Sequence, residues 1–214
     1  GHDQAEEAGP DADAAFVGHD QALPVPDGAA PEDPIVGDAE APAPEIQSPS
    51  TAAAITIDGL FDDWADIPVA STDPSGDEGH TGIDFTTIKL ANDSEYLFIY
   101  VNLGVEMALN NGHYLTLYLD TDDDPETGRQ VDGIGAELSW ILGHRRGTYY
   151  GESGESPINQ ANIGFVAAPT VTSSIFEMAI KRQARPDTAT PLFSGPNLRL
   201  LFRDDTWNEQ NQAL

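Results

Sequence analysis

The chain has 214 residues, with 9 Lys plus Arg against 37 Asp plus Glu, and a formal net charge of −28. This acid surplus excludes a nucleic-acid binder, which needs cations to displace phosphate counterions, and an anionic membrane surface repels the chain for the same reason. There is no Cys, which excludes disulfides, thiol nucleophiles and cysteine metal sites, and no run of about 18 apolar residues exists to span a bilayer.

Composition divides the chain near residue 51. Residues 1–50 hold 8 of the 16 Pro, 11 Ala and 12 Asp plus Glu, with no Lys or Arg. Such a stretch buries too little apolar surface to offset its own chain entropy, and proline at this density favours extended backbone. Residues 1–51 therefore read as an arm. Its apolar pieces include Phe16 and Val17, then Ile35 and Val36. Residues 52–205 read as one domain and 206–214 as a polar tail carrying Trp207.

Within the domain, AITI (54–57) predicts a short strand. DGLFDDW (58–64) predicts a turn and one helical turn that buries Phe61 and Trp64. After a polar loop (73–82), FTTIKLAND (85–93) and YLFIYVNL (96–103) predict a hairpin turning at Asn92–Glu95. The strand series continues with YLTLYLD (114–120), GAELSWIL (135–142) and TYYG (148–151). It ends with IGFVA (163–167), SIFEMAIKR (174–182) and LRLLFRD (198–204). Short strands punctuated by Gly, Pro and Asn, with no long amphipathic helix, predict an all-β fold. The expected architecture is an antiparallel, jelly-roll-like β-sandwich with an extended N-terminal arm.

Two strands carry apolar residues on both faces. In 96–103, Leu97, Ile99, Val101 and Leu103 share one face, and Tyr96, Phe98 and Tyr100 the other. In 114–120, Leu115, Leu117 and Leu119 oppose Tyr114 and Tyr118. An ordinary half-buried strand has one polar face. The aromatic face needs a cover: other segments of the same domain, the arm, a sugar, or another copy of the chain.

The sharpest chemical signal is D-T-D-D-D-P-E-T-G at 120–128. Asp120, Asp122 and Asp124 alternate, Glu126 continues the series, and Asp132 or Glu137 is in reach to add an oxygen. Calcium takes six to eight hard oxygen ligands, and alternating carboxylates on a tight loop converge on one ion. The loop is not an EF-hand: Pro125 stands where that loop needs Gly, and Val131 where it needs Glu. The plain alternative is a solvated acidic hairpin. Acidity, only two Lys (Lys89 and Lys181) and this loop predict a secreted protein, extracellular or at a cell surface. Gly1 at the start is read as a removed signal peptide or an expression scar.

ITIDGLFDDW, DFTTIKLANDSEYLFIYV, LYLDTDDDPETG and FEMAIKR, in that order, resemble the family 9 carbohydrate-binding modules and related DOMON-like extracellular β-sandwiches. The resemblance covers about residues 54–182. It implies a sandwich with structural calcium and no catalysis, with Asp120, Asp122 and Asp124 as ligands and Trp64 in the core. It also implies an aromatic sugar clamp, for which Trp140 is the candidate with Tyr149 or Tyr150 as partner.

Enzyme signatures are missing from the sequence. The five His show no i, i+4 pair, and GESGES (151–156) and GIGAEL (133–138) match neither a nucleophile elbow nor a dinucleotide loop. Two functions remain. One is a calcium-binding structural subunit of an extracellular filament or tube, whose arm docks on neighbouring copies as a donor strand. The other is a carbohydrate-binding module, free or cut from a larger enzyme, with a polysaccharide as partner.

Overall fold

The structure, a computed structural model, describes residues 51–73, 83–110 and 112–205, and the backbone of 211–213. The arm residues Phe16, Val17, Ile35 and Val36 lie outside the described residues, as does Trp207. The strands are β1 (Thr51–Ala52), β2 (Val69–Thr72), β3 (Thr87–Asn92), β4 (Tyr96–Ala108), β5 (Leu115–Asp120), β6 (Arg129–Val131) and β7 (Ile134–Ala136). They continue as β8 (Leu138–Ile141), β9 (Arg146–Gly151), β10 (Gly154–Asn159), β11 (Val166–Ala168), β12 (Thr172–Lys181), β13 (Arg199–Asp204) and β14 (Asn211–Ala213). One four-residue helix, α1 (Gln160–Ile163), lies between β10 and β11.

Two sheets form the sandwich. The first runs β1-β3-β4-β12-β11, with β2 also paired to β3, and the second runs β10-β9-β8-β5-β13-β14. Every pair is antiparallel except the short β1–β3 pairing. Between them lies one core: Ile88, Leu97, Ile99, Val101, Phe176 and Met178 from the first sheet meet Leu115, Leu117, Leu138, Trp140 and Phe202 from the second. The alternation read along β4 and β5 holds, with the leucine face of each strand turned inward.

The outer aromatic faces are covered within the domain. Phe98, Tyr100, Ala91 and Ala179 of the first sheet lie under Ile55, Trp64 and Ile67, with Ile57 and Phe61 at the margin. Phe61 meets Tyr100 edge-on at 5.9 Å, and the Trp64 ring lies 5.4 Å from the same tyrosine. Tyr118 and Leu201 of the second sheet lie under Val131, Ile134 and Ala136, the hairpin β6–β7.

Several local expectations are corrected. AITI is not a strand; the strand precedes it at Thr51–Ala52, and 54–57 runs on as part of the cover. Residues 154–159 pair with β9 as β10, and IGFVA splits between the end of α1 and β11. Part of the tail is a strand, since Asn211–Ala213 pairs with Phe202–Asp204.

A buried acid fastens the first cover. Glu177 on β12 is 0 % exposed. Its Oε1 accepts the amides of Asp58 at 2.8 Å and Gly59 at 2.6 Å, and its Oε2 accepts the Trp64 indole N–H at 2.8 Å. Three donors from one short segment repay the desolvation of a single carboxylate. Glu177→Gln turns one acceptor into a donor facing donors. It should destabilise the fold by about 2 kcal/mol or more, read as a lower urea midpoint at unchanged slope; an unchanged midpoint would show that the carboxylate does not hold the segment.

Candidate metal centre

Strand β5 ends in Asp120, the last of six residues that are all buried. The chain then turns through the loop 121–128, runs out along β6, and returns along β7 to Glu137 at the start of β8. This return brings the carboxylates of Asp120, Asp122 and Glu137 together, with ligand oxygens all within 4.8 Å of one another. Two oxygens each about 2.4 Å from one calcium lie at most about 4.8 Å apart, and the three carboxylates meet that condition for sharing an ion.

The group is rich in oxygens and poor in protons. Asp120 is 0 % exposed, its Oδ2 receives a 3.4 Å contact from the Gly135 amide, the Asp123 amide also pulls on the carboxylate, and its Oδ1 is buried with no hydrogen-bond partner. Glu137 is better served: Oε2 accepts the Thr121 amide at 2.8 Å, and Oε1 lies 3.0 Å from the Thr127 hydroxyl. That same hydroxyl sits 3.2 Å from both Asp122 oxygens and 3.0 Å from the Asp124 carbonyl. One hydroxyl carries one proton, so it satisfies one of these four oxygens at a time. Asp122 Oδ1 also accepts the Asp124 amide at 3.1 Å, and a hard cation at this point would satisfy the lone pairs left over.

Gly135 makes the close packing of the loop possible. A Cβ there would meet the carbonyl oxygens of Thr127 at 2.4 Å and Asp124 at 2.5 Å. Only a bare α-carbon lets β7 pass so near the loop backbone.

Burial raises the Asp120 carboxyl above the ordinary carboxylate range, against the pull of the Gly135 amide. Burial likewise raises Glu137, opposed by the Thr121 amide and the Thr127 hydroxyl. Arg199 lowers Asp120 from a distance, but its Nε is spent on Asp123 Oδ1 at 2.6 Å.

The sequence-predicted ligands separate here. Asp120 and Asp122 lie in the group, and of the two candidates for a further oxygen it is Glu137, not Asp132, that joins them. Asp124 and Glu126 lie outside it: the Asp124 side chain turns back to accept the Glu126 amide at 3.0 Å, and Glu126 is exposed. Asp132 holds a left-handed φ of 44° beside Gly133 and pairs with Arg203 at 2.7 Å. It opens the two-residue turn of the β6–β7 hairpin. Asp-Gly is the sequence signal for that turn, and it marks Asp132 as a turn residue and not a ligand. Thr127 and Gly135 carry no ligand signature in the sequence; their roles follow from the return of β7.

The proposed clamp residues are interior. Trp140 is 0 % exposed, with its ring 4.5 Å from that of Phe165, and Tyr149 is 4 % exposed in the same core. A ring with no open face cannot stack on a sugar. Trp140 shares the parity of Leu138 and Leu142, which turn inward with it. Tyr150 points the other way, toward Arg129 Nη1 at 3.0 Å.

No family model matches the chain, and no curated protein matches it. Among solved structures it is similar to a family 9 carbohydrate binding module from Caldicellulosiruptor kristjanssonii in complex with cellotriose. The identity is 15% and the TM-score 0.42, over 76% of this chain and 80% of that chain. A second structure of such a module from that organism, in complex with glucose, is 14% identical at a TM-score of 0.39, over 76% and 81%.

The raised carboxyls set a pH dependence in the metal-free state. Unfolded, both groups lose their protons near pH 4. The folded chain keeps them to higher pH, so it binds more protons in that window, and stability falls as pH rises through it. In the presence of chelator, Asp120→Asn should lose less stability than the wild type between about pH 4 and pH 7. Urea unfolding at each pH measures this; parallel slopes would contradict the burial of Asp120.

Proposed function

We propose that the chain is a non-catalytic, secreted β-sandwich module that holds a structural calcium ion at Asp120, Asp122 and Glu137 and recognises a polysaccharide. The observation that carries the calcium is the partnerless buried oxygen of Asp120, set among lone pairs that one hydroxyl cannot satisfy. Calcium suits the donor set better than magnesium. Three carboxylates converge there, whereas magnesium is usually held by one or two carboxylates and retains its waters. The ion would weld the loop 121–128 to the start of β8, and so fix the hairpin that covers Tyr118 and Leu201.

The polysaccharide reading is supported by the ordered motifs between residues 54 and 182 that resemble the family 9 modules. Assembly into filaments has less support. An open aromatic face was one argument for it, and Phe98, Tyr100 and Tyr118 lie under the chain's own segments. With Trp140 and Tyr149 interior, the sugar contact belongs to the surface turns and outer strands.

Calcium that binds the folded chain and not the unfolded one stabilises it by about 2.7 kcal/mol at a hundredfold excess over Kd. For a domain of this size that is a rise in Tm of roughly 5–10 °C. Asp122→Ala should remove most of the rise while leaving the chelated protein near its wild-type Tm, because Asp122 is exposed. Differential scanning calorimetry with calcium and with chelator decides; an equal response of the variant places the ion elsewhere.

A further inference from the structure

The charge of this chain is lopsided, and its few cations are mostly engaged. Lys89 donates to the Trp64 carbonyl, Arg129 to Tyr150, Arg182 to the Asp93 carbonyl and Arg185 to the Ala189 carbonyl. Arg199 and Arg203 are ion-paired. Lys181 is exposed at the end of β12, and Arg145 and Arg146 are adjacent in the chain. Both are exposed, and neither guanidinium has a hydrogen bond, ion pair or ring contact among the described residues. They follow His144, also exposed, in the turn between β8 and β9.

The turn is held rigidly. The Arg145 amide donates to the Leu142 carbonyl at 3.3 Å, and the Leu142 amide to the Leu115 carbonyl at 3.0 Å. A Cβ at Gly143 would come within 2.1 Å of the Leu109 carbonyl oxygen, so the turn lies hard against the end of β4. The His144 ring meets Tyr114 edge-on at 4.8 Å. Arg145 sits at a φ of 51°, in the left-handed region that favours glycine. An arginine in a glycine-favouring position costs stability.

We propose that this turn is a binding site for a carboxylated polysaccharide, with Arg145 and Arg146 pairing with its uronate groups and Tyr114 and His144 flanking the sugar. The proposal rests on the polysaccharide reading above and adds the ligand's charge and its place on the fold. A guanidinium matches a carboxylate in geometry as well as charge, and a turn already held by backbone hydrogen bonds loses little entropy on binding. A protein partner fits less well. Protein interfaces have an apolar centre, and none of the exposed large apolar side chains of the described residues (Leu60, Val69, Val105, Val166 and Val171) belongs to this turn.

Affinity electrophoresis of the full chain tests this with two soluble glucans of one backbone, carboxymethyl cellulose and neutral hydroxyethyl cellulose. Retardation by the carboxylated glucan should exceed that by the neutral one at least about tenfold in apparent Kd, and the double variant Arg145→Glu, Arg146→Glu should abolish the difference. Arg145→Gly should weaken retardation while raising Tm by roughly 2 °C, a pairing that a purely structural arginine does not produce. Equal retardation by both glucans overturns this proposal and leaves the polysaccharide reading standing. Retardation by neither overturns both. A carboxylate preference that survives the double variant places the site elsewhere. In sedimentation velocity, a wild-type self-association lost in the double variant, without any glucan preference, makes the turn an acid-binding contact between copies and overturns the proposal.

Discussion

Strand β5 is covered on both faces, and that single constraint places a carboxylate where water does not reach. The leucine face packs into the sandwich core and Tyr118 lies beneath the β6–β7 hairpin. Burial continues to the last residue of the strand, which is Asp120. Removing an ionised carboxylate from water costs several kcal/mol, by order of magnitude, unless it is compensated. The molecule meets this problem twice and resolves it differently. Glu177 is as deeply buried, and three N–H groups of its own cover segment converge on it. Asp120 sits among other oxygens, the Gly135 and Asp123 amides pull on it weakly, and its Oδ1 has no partner. The first arrangement is complete in the polypeptide alone; the second leaves a carboxylate oxygen that a cation or a proton would satisfy.

The covers also decide where recognition can take place. Aromatic side chains on the outer faces of β4 and β5 look from the sequence like binding surface. In the fold they are the floor beneath the 53–67 segment and the β6–β7 hairpin. What remains for contact with a partner is the set of turns and the less covered outer strands. Among these the His144–Arg146 turn stands out, because it concentrates unpaired positive charge on a chain whose net charge is −28.

The sandwich was legible because strict alternation survives in β4, β5 and β8, and inward parity follows directly from it. The same rule carried far enough places Trp140 with Leu138 and Leu142 in the core, against its reading as a sugar clamp. The covers were not legible. Residues 53–57 are held by a long-range bond from Ala53 to Asn92 and by the Glu177 anchor nearby, and neither leaves a period in the sequence. At the metal loop, Asp120 and Asp122 follow from local spacing. Glu137 is brought to them across a hairpin whose only local mark is Asp132-Gly133. Counting carboxylates along the loop overstates Asp124, Glu126 and Asp132, because short acidic side chains also cap turns and pair with arginines.

The account is tested most directly by a crystal structure of the full chain grown in calcium, with anomalous scattering used to identify the ion. It predicts one calcium peak about 2.3–2.6 Å from carboxylate oxygens of Asp120, Asp122 and Glu137. Saturating calcium with no anomalous peak there, and Asp120 hydrogen-bonded instead to a water or carrying its own proton, would contradict it.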